Sequence, residues 1–368
     1  MIFFFILLAV LLPPVGIPIL LIYWLVRKKK NIQKQKETLM IAVSREDAVS
    51  QWFFFLSVSF FGVTLMGINQ QFHLMSWQTI LLFTALAGLV ISYLYKSVGT
   101  LIMSLVTVVT WWGFQAFAWS ADRDIETYGI FLGVILFFLV FYVMGNYYRK
   151  NVKFKRFRMV YLVLGIVGIV GNLFIFSSRF GLEILSGMTI GGGVWNGWQV
   201  ALSLGVMVLV LAAGLVFITV KKFLLPGEAV AVGLLALLFI IPIFLPEQSF
   251  FVYQQDAWAF VANYNSGNTF TASGLVWAVL FNVTVFFALL GLIFSGYVRR
   301  EEWLINLGVF FLFVLIFMKY FDWFFSFLDK SLFFIGAGIL LFALGWGMEK
   351  GRRQMVAQIK TQQTAKPT

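Results

Sequence analysis

The residues best placed to do chemistry are four polar side chains near the C-terminal end, Lys319, Asp322, Ser326 and Asp329. Their steps of three, four and three put them on one face if a single helix carries them. Two carboxylates beside an ammonium and a hydroxyl can relay a proton or hold a polar substrate. Charges in an apolar zone are usually paired or functional. The alternative is an interfacial pair, Lys319 with Asp322, followed by a polar turn into the next helix. Two further groups lie in expected outer loops. Arg179 and Glu183 sit four apart, a spacing that gives a helical ion pair. His73, the only histidine, follows the uncharged run Asn69–Phe72 and either titrates near neutral pH or is simply solvated. The acidic loop Asp122, Asp124 and Glu126 lacks the spacing of a calcium loop. Gly191–Gly193 is not followed by the Lys-Ser/Thr of a phosphate loop.

Composition decides which elements must position these groups. The chain has 368 residues, 61% hydrophobic, 19% aromatic and 11% charged. A soluble domain carries about 25% charged residues and needs them to cover its surface. The solvent for most of this chain is therefore lipid, which excludes a soluble enzyme, a disordered protein and a nucleic-acid-binding domain. With no Cys, disulfides, iron–sulfur clusters and thiol catalysis are excluded, and one His cannot form a multi-His metal or haem site. No metal and no cofactor are expected.

A membrane-crossing helix needs roughly 20 apolar residues. Eleven runs qualify: 2–26, 52–68, 78–95, 98–118, 128–148, 159–176, 197–220, 229–245, 275–297, 303–321 and 331–347. The expected fold is an all-α polytopic transmembrane bundle. The net charge of +12 is explained by its placement. With the N-terminus outside and the C-terminus inside, every Lys and Arg except Arg123, Arg179, Lys319 and Lys330 falls in an inner loop or the tail. Acidic residues divide almost evenly, as the positive-inside rule allows. The first run is read as a retained helix because its basic cluster Arg27–Lys30 follows it, unlike in a signal peptide.

One transmembrane domain is expected over 1–353, with a cytoplasmic loop at 27–51, an outer loop at 246–274 and a disordered cytoplasmic tail at 354–368. In the outer loop, Phe250, Tyr253, Ala257, Val261 and Tyr264 recur at helical spacing, which fits an amphipathic helix on the outer leaflet or a face for a protein partner. The basic inner loops should meet anionic lipid headgroups. No internal repeat supports an inverted-repeat transporter.

The run Lys319-Tyr320-Phe321-Asp322, then Leu328-Asp329-Lys330-Ser331-Leu332-Phe333-Phe334-Ile335-Gly336, then Gly345 and Glu349–Arg353, resembles the C-terminal end of a group of bacterial polytopic membrane proteins of unknown function. Tyr93 to Trp112 is similar to an interior segment of that group. The resemblance implies a bacterial cytoplasmic-membrane location and draws interest to Asp322 and Asp329.

Three functions follow from these readings. The first is a non-enzymatic scaffold, assembly or sensor subunit acting through helix packing and outer loops. The second is a transporter of a small neutral or apolar substrate, for which Pro242 would interrupt a helix and Asn172, Asn282 or Thr110 would line a midplane cavity. The third is an intramembrane enzyme on lipid-linked substrates, with Asp322 and Asp329 as its acid/base pair.

Overall fold

The computed structural model describes residues 48–120, 127–151, 154–187, 198–224, 226–244, 271–324 and 330–364. The expected span 2–26, nearly all of the loop 27–51, the outer-loop stretch 246–270, the acidic loop and the glycine triplet lie outside the described residues. The architecture is all-α. The helices are α1 (Ala48–Phe72), α2 (Trp77–Tyr95), α3 (Val98–Ser120), α4 (Thr127–Tyr147), α5 (Lys155–Phe176), α6 (Arg179–Gly187), α7 (Trp198–Val220), α8 (Pro226–Ile240), α9 (Ala272–Arg299), α10 (Glu302–Phe324) and α11 (Lys330–Thr364). Among the described residues, nine helices are long and apolar enough to cross a membrane. The protein is therefore a multi-pass membrane protein. α2, with 19 residues, rises about 28 Å, close to the roughly 30 Å of a bilayer's hydrocarbon.

One observation departs from the sequence reading, and a second, the interruption at Pro242, agrees with it. α11 does not end at Gln354, where a disordered tail was expected, but runs on to Thr364. Glu349 bonds Arg352 and Arg353 at three- and four-residue spacing, and such pairs support a helix outside the apolar zone. α8 is short and closes in a 3₁₀ turn, Ile241–Phe244, around the buried Pro242. Proline cannot donate the next helical hydrogen bond, so the helix tightens and stops.

The chain divides into two compact units. The first contains Met1–Arg123, Gly129–Leu162 and Gly197–Gly233. In it α1 packs on α2 and α3. Small residues set the distance of closest approach. A Cβ on Gly88 would meet the Ser104 Oγ at 2.1 Å, and one on Gly62 would touch Thr84. The hydroxyls of Thr84 and Ser104 bond carbonyls of their own helices, so they can be buried without loss. Elsewhere α1 exposes Trp52, Phe53, Phe60 and Val63, an apolar surface suited to lipid.

The second unit contains Asp124–Tyr128, Val163–Asn196 and Leu234–Thr368. α9 and α10 form its closest pair, joined by a tight turn at Arg300 and Glu301. Gly296 lies flush against Leu304 and Ile305, and Gly308 against Ile293. α11 packs on α10, where Gly336 leaves room for the Tyr320 hydroxyl.

Three basic residues, Lys96, Lys222 and Arg300, end α2, α7 and α9 in the left-handed region, at φ 55°, 55° and 58°. Glycine is the usual occupant of such a position. A cation near the last carbonyls offsets part of the conformational cost through the helix dipole.

Candidate functional site

The charged stripe read from the sequence is represented by Lys319, which sits near the end of α10 in the second unit. α5 stops at Phe176, and its final carbonyls must find partners outside the helix. Ser177 and Ser178 turn the chain sharply. Their hydroxyls bond back to Phe174 O at 2.9 Å and Ile175 O at 2.6 Å. Ser178 then caps α6, accepting the Gly181 N–H at 3.4 Å. Only glycine fits at 181, because a Cβ would lie 2.2 Å from Ile175 O.

This turn presents the Ser177 carbonyl to two other helices. Lys319 Nζ donates to Ser177 O at 2.8 Å. Asn282 Nδ2 on α9 donates to the same oxygen at 3.3 Å and to Ala278 O at 2.7 Å. One buried carbonyl thus gathers the end of α5, the middle of α9 and the end of α10. The ammonium stands at the negative end of the α5 dipole, an arrangement worth about 0.3–2 kcal/mol depending on burial. One residue before Ser177 and one before Asn282 the chemistry changes. Phe176 and Phe281 stack with centroids 5.6 Å apart, and Phe239 completes the cluster at 5.4 and 5.5 Å. All three rings are buried. The polar junction therefore rests on an aromatic floor.

The other sequence candidates have separate fates. Asp322 lies in the α10 helix, one turn beyond Lys319. Ser326 and Asp329 lie outside the described residues. Arg179 and Glu183 form the expected pair, with Arg179 Nε 3.0 Å from Glu183 Oε1, on the first turns of α6. Their side chains are 55% and 45% exposed, so the pair contributes only about 0.2–0.5 kcal/mol. His73 is exposed in the connection after α1. It closes α1 with φ 50°, donating its backbone N–H to Asn69 O at 2.7 Å. Histidine tolerates this left-handed position better than most residues. Among the described residues, no group of three or more His, Cys, Asp or Glu is placed to hold a metal ion.

The first unit holds two polar arrangements that the sequence reading did not single out. The Tyr93 hydroxyl on α2 bonds those of Tyr148, after α4, at 3.1 Å and Tyr161, on α5, at 2.8 Å. Tyr148 and Tyr161 are buried. The rings of Phe154 and Phe157 pack against Tyr93, and Phe141 against Tyr161. Three phenols joined in a row can all be satisfied without water, and they lock three segments together. The flanking basic residues are also engaged. Arg149 donates to Phe223 O at 3.1 Å, and Lys150 lies over the Phe223 ring at 4.9 Å.

The second arrangement is Trp112, which is fully buried on α3 and donates its indole N–H to Ile130 O on α4 at 3.0 Å. Gly133 makes this possible, since a Cβ there would fall 2.1 Å from the indole. Gly129 and Gly133 stand four residues apart, the small-xxx-small spacing that lets helices approach closely. The ring that meets Gly133 was not legible, because one tryptophan among 13 carries no mark of the helix it will enter.

Asn172 and Asn282, two of the three residues expected to line a transport cavity with Thr110, each bond a backbone carbonyl. Asn172 is buried and donates to Gly168 O at 2.7 Å. The chain matches no family model, no curated protein and no solved structure.

Proposed function

We propose that this protein is a non-enzymatic subunit of the bacterial cytoplasmic membrane, a scaffold, assembly or sensor component that acts through packed helices and its outer loops. The observation that carries the reading is how the polar side chains inside the bundle are used. Lys319 and Asn282 hold the end of α5. Tyr93 joins Tyr148 and Tyr161, and Trp112 ties α3 to α4. These groups fix helices to one another. The bacterial location rests on the family resemblance, and the orientation, N-terminus outside and C-terminus inside, on the positive-inside pattern.

Such a subunit needs a partner, and the aromatic outer loop 246–274 is the surface assigned to it. The test is purification of the full chain from its native membrane in lipid nanodiscs, followed by mass spectrometry. A stoichiometric protein partner is expected, lost when 250–264 is replaced by a polar linker and retained in Asp322→Asn. A lone chain that moves a solute in proteoliposomes overturns the reading.

Transport of a small neutral or apolar substrate is the second reading. It is favoured by the 3₁₀ break at Pro242 and by the cation held at the α5 terminus, since interrupted helices and helix-end carbonyls form the ion sites of transporters. Loss of solute uptake in Lys319→Met, with the protein still folded, would support it over the scaffold.

A further inference from the structure

We propose that a groove on α11, centred on Gly345, seats one anionic phospholipid. Leu341, Gly345, Glu349 and Arg353 lie on one row of four-residue steps, and Phe342, Trp346 and Lys350 on the neighbouring row. Gly345 supplies the notch, because a Cβ there would meet no atom within 4 Å. Phe342 and Trp346 wall it and are 79% and 65% exposed.

The groove is divided along its length. Its first half is apolar and matches an acyl chain. Its second half is cationic. Lys350 Nζ lies 5.2 Å from the centroid of the Trp346 ring, and the Arg353 side chain is 77% exposed. The indole stands at the boundary, where tryptophan anchors favour the headgroup level. Leu341 to Trp346 covers about 7.5 Å of helix, about half of one leaflet of a hydrocarbon core roughly 30 Å thick, so the apolar wall meets the part of an acyl chain nearest the headgroup. The one acid in the groove, Glu349, does not cancel its charge. Its carboxylate binds Arg352 at 2.6 and 2.7 Å and Arg353 at 2.7 Å. Against that single acid the groove sets Lys350 and Arg353, which leaves it net positive and complements a headgroup with net negative charge; Arg352 turns to Asn306 on α10 instead. A zwitterionic headgroup would gain much less.

The test uses the full chain in nanodiscs containing dibrominated phosphatidylglycerol or dibrominated phosphatidylcholine, with the Trp346 signal isolated by subtracting the Trp346→Phe variant. Brominated phosphatidylglycerol is expected to quench Trp346 at a mole fraction about fivefold lower, the order expected for one uncompensated cation at the headgroup. The preference should vanish in Lys350→Gln with Arg353→Gln, and in Gly345→Leu, which fills the notch. It should also weaken in the unmodified protein as salt is raised, a readout that needs no variant to fold. Equal quenching by the two lipids, or a preference unchanged by salt and by both variants, would overturn the proposal. So would efficient dimer cross-linking through a single Gly345→Cys, which would show a second copy in the groove.

Discussion

Lys319 Nζ lies 2.8 Å from the carbonyl oxygen of Ser177, so an ammonium from α10 closes the C-terminus of α5. The residue that most resembled part of a proton pathway thereby acquires a structural duty. The same logic recurs wherever polar atoms enter the bundle, and it yields measurable expectations.

Trp112 and Gly133 should behave as one unit. Gly133→Ala forces a methyl into the indole and should destabilise the protein by about 1–3 kcal/mol. Trp112→Phe loses the bond to Ile130 O and should cost about 1 kcal/mol or more. In the double variant the smaller ring makes room for the methyl, so the combined loss should fall short of the sum. Thermal unfolding in detergent, followed by circular dichroism, checks all three.

The tyrosine row makes an ordered expectation. Tyr93 is the middle member, and Tyr93→Phe removes both hydroxyl contacts. Tyr148→Phe and Tyr161→Phe each remove one. With about 0.5–1.5 kcal/mol per hydrogen bond, Tyr93→Phe should lower the unfolding midpoint most. A larger effect from either end member would contradict the arrangement.

Hydrogen bonds from Arg352 and Arg353 hold the Glu349 carboxyl down at about 2, below the ordinary glutamate value of about 4.3. A depressed native value means that the unfolded state binds the proton more readily. The contribution to stability is therefore complete above the unfolded value and lost as pH falls from about 4.3 towards 2. Helix content of the full protein, measured from pH 6 to pH 2, should drop less steeply in Glu349→Gln than in the parent.

The orientation inferred from charge can be read directly, because the chain contains no cysteine. His73 and Lys96 stand at opposite ends of α2, both exposed. A thiol reagent that cannot cross membranes should label His73→Cys in intact cells and Lys96→Cys only after permeabilisation. The reverse pattern would invert the topology.

What could be read in the sequence was what depends on neighbours along the chain. Apart from the far end of α11, each apolar run in the described residues became a helix near its expected limits, because hydropathy over roughly 20 residues is a local quantity. The Arg179–Glu183 pair was legible for the same reason, being four residues apart on one helix. Lys319 was visible as a charge in an apolar setting, but its acceptor was not. Ser177 lies 142 positions away and contributes a backbone oxygen, which no residue type announces. The tyrosine row was equally hidden, since Tyr93, Tyr148 and Tyr161 come from three separate segments. α11 outran its expected end because the Glu349–Arg353 cluster supports a helix after hydropathy has fallen away. His73 was readable as solvated but not as the residue that closes α1, which depends on its backbone angle.

The most direct test of the account is the stability of Lys319→Met, which keeps the apolar stem and removes the donor. Ser177 O is then left with the longer Asn282 contact alone. A loss of about 1–3 kcal/mol, the cost of under-satisfying a buried polar group, is expected, with substantial recovery in Lys319→Arg. An unchanged unfolding midpoint in Lys319→Met would contradict the account, since the ammonium would then hold nothing in place.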